Sequence, residues 1–86
     1  MKRNVVRITH FISSNGDHLP ATAENYALDV VPYSAGAQEK IAQASLSKDA
    51  HDRNAYALQA GMYARQAAYN ARRAEELGFK FPELTA

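Results

Sequence analysis

Between residues 48 and 77 apolar positions recur on a helical period, with no proline and with Gly61 as the only glycine. Tyr56, Ala60, Tyr63, Ala67, Ala74 and Leu77 follow a heptad-like spacing along one seam, and Leu58, Met62 and Tyr69 lie on a neighbouring face. Positions three and four apart share a helix face, and alanine is the strongest helix former, so the stretch predicts one long helix of about seven turns. Two apolar seams place it between other segments, or against its own bundle on one side and a partner on the other. Alanine contributes little area. The three tyrosines with Leu58, Met62 and Leu77 must then supply most of the stabilisation, at roughly 1.5–3 kcal/mol for each large apolar side chain fully buried.

Upstream the pattern is shorter and more ambiguous. In residues 20–31, Ala23, Tyr26, Ala27, Val30 and Val31 fall at i, i+3, i+4, i+7 and i+8, a one-face helical pattern. Pro20 suits a first helical position and Pro32 a stop, which predicts a short helix. Read as a strand, the same residues leave Asp29 beside Val31 on one face, a poorer match. Ser34 can cap a third segment, residues 35–46, whose stripe centres on Ile41. Residues 4–12 are rich in β-branched types and favour a strand, although Val5, Ile8 and Ile12 also fit helical spacing. Asn15-Gly16 then supplies a turn. The competing arrangement is a hairpin of 4–12 with 25–31.

The ends of the long helix are well marked. Ser47 or Asp49 can cap it, Asp49 and Asp52 place negative charge at its positive pole, and Arg72 and Arg73 complement the other. Gly78 suits the left-handed position after the last turn, and Pro82 prevents resumption. Phe79 and Phe81 flank Lys80, so both rings can fold back while the lysine points outward. The expected fold is therefore a single domain over residues 1–86, mainly α. It has an N-terminal extended segment, two short helices and a long C-terminal helix as spine. The alternative is an α+β form with an N-terminal β-hairpin packed on that helix.

Composition narrows the chemistry. At 86 residues the chain is near the size where one core is just adequate. It contains no cysteine, hence no disulfide or thiolate metal site, which leads us to expect a reducing compartment, most simply a cytoplasm. Neither a signal peptide nor a stretch approaching the ~20 apolar residues of a membrane span is recognisable. Ten basic and nine acidic residues give a net charge of +1, too balanced for phosphate-backbone binding to dominate affinity. His10, His18 and His51 share no ligand-type spacing, so neither metal nor cofactor is expected. No serine sits in a nucleophile-elbow pattern, adjacent Glu75 and Glu76 point in two directions on a helix, and Asn15-Gly16 is turn chemistry rather than a phosphate loop. These residues describe a non-enzymatic protein.

Arg65 and Arg72 are seven residues apart and share a face, with Arg73 adjacent and Arg53 three turns earlier. They are either solvated, with Arg72 paired to Glu76, or part of a surface for an acidic partner. The tyrosines divide likewise between core and interface, since tyrosine is favoured at binding hot spots.

Two stretches, Ala21-Thr-Ala-Glu-Asn-Tyr-Ala27 running on to Val31-Pro32, and Ala71-Arg-Arg-Ala-Glu-Glu-Leu-Gly-Phe-Lys-Phe81, resemble a small helical protein among the type II-C anti-CRISPRs. The likeness spans about a third of the chain, and no residue roles transfer with it. It implies a phage or mobile-element protein that occludes a Cas effector nuclease stoichiometrically in the host cytoplasm, without cofactor or turnover. The leading expectation is thus a protein-binding module whose contacts are Tyr56, Tyr63, Arg65, Tyr69, Arg72 and Arg73. Its rivals are a nucleic-acid-binding accessory protein using Lys2, Arg3, Arg7, Arg65, Arg72 and Arg73, and a homo-oligomer, a homodimer at its simplest, built on the alanine-rich seam.

Overall fold

Thr22 opens the first long helix by accepting a hydrogen bond from the Asn25 backbone N–H at 3.2 Å, and Asp49 opens the second by accepting from that of His51 at 2.8 Å. The computed structural model describes residues 9–82, with strands β1 (His10–Ile12) and β2 (His18–Pro20) followed by helices α1 (Ala23–Leu46) and α2 (Ala50–Glu76). The fold is mainly α, and its extended N-terminal part closes into a small antiparallel hairpin, as in the α+β alternative. α1 and α2 form a long helical hairpin joined by residues 47–49. Arg53 ties that joint, its Nη1 donating to the Ser47 and Lys48 carbonyls at 3.2 and 3.0 Å.

Two expected boundaries are wrong. Pro20 is not a first helical residue: it ends β2, paired with His10. Pro32 does not stop a helix either. Residues 23–31 and 35–46 belong to one helix, and Ser34 lies within it rather than capping it. A proline inside a helix removes the hydrogen bond to the carbonyl four residues earlier, here Leu28. Both residues are exposed, so the missing bond falls on the solvent side of the helix, and its cost is offset by packing of the inner face. The β partners also differ from expectation. Ile12 pairs with His18 and Phe11 with Leu19, not with residues 25–31, which are helical. The part of the predicted strand over residues 4–8 lies outside the described residues.

The C-terminal signals behave as the sequence predicts. Gly78 takes φ +101°, the Phe79 N–H reaches the Ala74 carbonyl at 2.9 Å, and the Gly78 N–H reaches that of Glu75 at 3.0 Å. This double closure is the Schellman arrangement. It turns Phe79 and Phe81 back against a cluster of Tyr26, Ala27 and Ala74, leaving Lys80 exposed. Phe11 of β1 stacks on Tyr26 at 4.4 Å, so the β-hairpin, both helices and the C-terminal turn meet at one end of the molecule. Tyr26, 1 % exposed, is the one large apolar side chain fully buried among the described residues. Along the rest of the helical hairpin the buried apolar residues are alanines: Ala37 of α1, with Ala60 and Ala67 of α2.

A polar junction fixes how the pieces sit. Asp29 and Asn70 are both buried, and the Asn70 side-chain amide donates to Asp29 Oδ2 at 3.1 Å. The other oxygen of Asp29 accepts from the Ser14 backbone N–H, also at 3.1 Å. One carboxylate thus joins α1, α2 and the turn of the β-hairpin.

Two outcomes follow for stability. Pro32→Ala raises the unfolding free energy by about 1–3 kcal/mol in a urea titration, because it restores a helix bond at no packing cost. Asn70→Ala lowers it by about 1–3 kcal/mol by leaving a buried carboxylate short of a donor. The Asp29→Ala, Asn70→Ala double variant then loses less than the sum of the single losses.

Candidate functional site

α2 presents three faces, and the residues nominated from sequence do not share one. The expected heptad seam of Tyr56, Ala60, Tyr63, Ala67, Ala74 and Leu77 is the face turned to α1, at least through its alanines, which are buried. Tyr56 is half-buried beside α1, with the Lys40 ammonium 5.5 Å from its ring centroid. Tyr63 lies over Gly36 of α1, where even a methyl group would come within 3.3 Å of its ring. Its ring centroid is 6.2 Å from that of Tyr33. Burial, then the Asp29 carboxylate and Tyr63, hold the Tyr33 phenol above its ordinary value of 10.0. Tyr56 and Tyr63 are therefore parts of the helix–helix contact with a partly open edge. Tyr63, with Met62, Gln59 and Gln66, rims a shallow recess beside Tyr33 and Lys40.

Arg73 is also committed within the fold. Its Nη1 donates to Glu76 at 2.6 Å, and its guanidinium carbon sits 5.6 Å from the Tyr26 ring centroid. The Glu76 hydrogen bond, with a contribution from Tyr26, holds its pKa above the usual arginine range. The expected Arg72–Glu76 pairing is replaced by this i, i+3 pair, leaving Arg72 outside the salt bridges among the described residues.

The remaining candidates, Arg65, Tyr69 and Arg72, are exposed on the outward side of α2. Leu58 and Met62 continue the same line, 64 % and 58 % exposed. The five are spaced 4-3-4-3, the interval that keeps side chains in one row along a helix. Among the described residues nothing covers this ridge. Its alternation of Leu, Met and Tyr with two arginines matches the residue types enriched in interface cores. All five residues stand out in the sequence, but their common row becomes apparent only in the structure. The regular interval was the available signal.

The Asp29–Asn70 junction was missed altogether. Its trace is the polar interruption of the inner seam, where Asn70 occupies the heptad position between Ala67 and Ala74. His51 stands in the first turn of α2, and His10 and His18 are the first residues of β1 and β2. Among the described residues, no group of three His, Asp or Glu side chains converges to hold a metal ion, and no helix is long and apolar enough to cross a membrane. Lys2, Arg3 and Arg7, nominated for nucleic acid, lie outside the described residues. Comparison with family models, with curated proteins and with solved structures finds no match.

The division of the arginines is measurable. Arg73→Ala lowers the melting temperature, through lost packing on Tyr26 as well as lost charge. Arg65→Ala and Arg72→Ala stay within about 0.5 kcal/mol of the parent in the same thermal denaturation series.

Proposed function

We propose that this chain is a non-enzymatic protein-binding module that docks through the outward ridge of α2. The observation that carries the proposal is the exposed row Leu58, Met62, Arg65, Tyr69 and Arg72 on one helix face. A partner suited to it offers an apolar groove for Leu58, Met62 and Tyr69, with carboxylates placed to pair with the two guanidiniums. Binding of this kind is set by shape and burial, with charge adding rate and specificity. The likeness to type II-C anti-CRISPRs supplies the class of partner: a Cas effector nuclease, held stoichiometrically and blocked without turnover.

The test is a DNA-cleavage assay with a type II-C Cas9 and increasing amounts of this protein. The expected outcome is inhibition that saturates at a fixed stoichiometry and is lost in the Arg65→Glu, Arg72→Glu double variant, whose fold is unchanged by circular dichroism. Full cleavage at excess protein, with no complex by gel filtration, removes the nuclease from the proposal. If the chain instead binds bare DNA at 50 mM salt and releases it by 200 mM, counterion release is the main affinity term and the nucleic-acid alternative replaces ours.

A further inference from the structure

Tyr33 and Lys40, both half-buried and seven residues apart on α1, line the recess together with Gln59, Met62, Tyr63 and Gln66 of α2. Its volume is about 310 Å³, at the lower end of the range that small-molecule sites occupy. Gly36 permits its shape, because the Tyr63 ring lies where a Cβ on residue 36 would come within 3.3 Å. The Tyr33 ring is 6.2 Å from that of Tyr63 between centroids and tilted by 43°. Two aromatic surfaces and the Met62 thioether thus supply the apolar lining.

The polar groups give the recess a direction. Lys40 is the one charged residue among those lining it, and no carboxylate lies there with it. Its ammonium is 5.5 Å from the Tyr56 ring centroid and forms no ion pair among the described residues. The Asp29 carboxylate acts on Tyr33 from the opposite end, with one oxygen taken by Asn70 and the other by Ser14. A negative charge is therefore attracted at the Lys40 end and repelled at the Tyr33 end. Tyr33 and Lys40 are about 10 Å apart along the axis of α1, which separates a ring at one end from an anion at the other by a short tail. The carboxamides of Gln59 and Gln66 offer donors and acceptors along that length. A carboxylate suits a single ammonium better than a phosphate, whose second charge nothing lining the recess balances.

We infer that this recess binds a small aromatic carboxylate, its ring lying against Tyr33, Tyr63 and Met62 and its carboxylate pairing with Lys40. Aromatic faces and a polarizable sulfur favour a flat ring, and the ammonium fixes which way it lies. The site does not rest on docking by the ridge. It shares Met62 with that row, so a ligand seated here borders the partner surface without occupying Arg65 or Arg72.

Titration of the full chain with 3-phenylpropionate, followed by NMR of the tyrosine rings, tests the site. The comparison is 3-phenylpropanamide, of the same shape and without charge. The expected result is saturable binding at one site, with Tyr33 and Tyr63 shifting most and the acid held about fivefold more tightly than the amide. Lys40→Met keeps amide binding and removes that preference, whereas Tyr33→Leu weakens both ligands. Lys80→Met, at an exposed position after the end of α2, leaves both affinities as in the parent. Raising salt from about 50 to about 500 mM narrows the preference, since the ion pair is partly screened. Absence of saturable binding overturns the inference, as does equal affinity for acid and amide in the parent. So does a preference for the acid that survives Lys40→Met in a chain of unchanged helical content.

Discussion

The Asp29 carboxylate holds the register of the whole molecule. The buried seam of Ala37, Ala60 and Ala67 is smooth, and apart from the Tyr63 ring seated over Gly36 it gives little resistance to one helix sliding along the other. Burying a carboxylate with a carboxamide on the facing helix removes that freedom, because any slip leaves both groups unpaired away from water. The same carboxylate accepts from the Ser14 N–H, so the turn of the β-hairpin is set by the choice that sets the helices. The aromatic cluster around Tyr26 lies on the same section of α1 and depends on that alignment. A buried polar contact of this type adds specificity more than stability. Here specificity is what an alanine interface lacks.

Local signals were legible in the chain, and signals that depend on tertiary context were not. Asp49, Gly78 and the Phe79/Phe81 pair act through atoms a few residues away, so their chemistry determines their conformation wherever the helix packs. The long helix was legible for the same reason. Pro32 misled because its cost depends on which way Leu28 faces, and that is decided by α2. The β-hairpin misled because three-residue strands carry almost no periodicity. Its pairing is settled by Phe11 finding Tyr26 and by the Ser14 contact, both remote in sequence.

The candidate site shows the same limit at the level of faces. Periodicity states which residues share a row, but not which row turns inward. Tyr56 and Tyr63 belong to the row that also holds Ala60 and Ala67, and burial of those alanines draws both tyrosines toward α1. Tyr69 is six residues from Tyr63, and so falls on the opposite side with Arg65. Arg73 differs from Arg72 by one position, about 100° around the helix. That rotation takes it to Tyr26 and Glu76 and leaves Arg72 in solvent.

A helix of 27 residues that turns one face to α1, presents arginines on another and carries small residues on a third has more surface than the rest of the described residues cover. The N-terminal β-hairpin and the C-terminal aromatics cover only one end, where the rings of Phe11, Tyr26, Phe79 and Phe81 collect. The remaining length has to be covered by another macromolecule or left exposed, and exposed Leu, Ile and Val in a row invite association. Arg65 and Arg72 put two like charges on the exposed row, and a row bearing like charges selects a partner unlike itself.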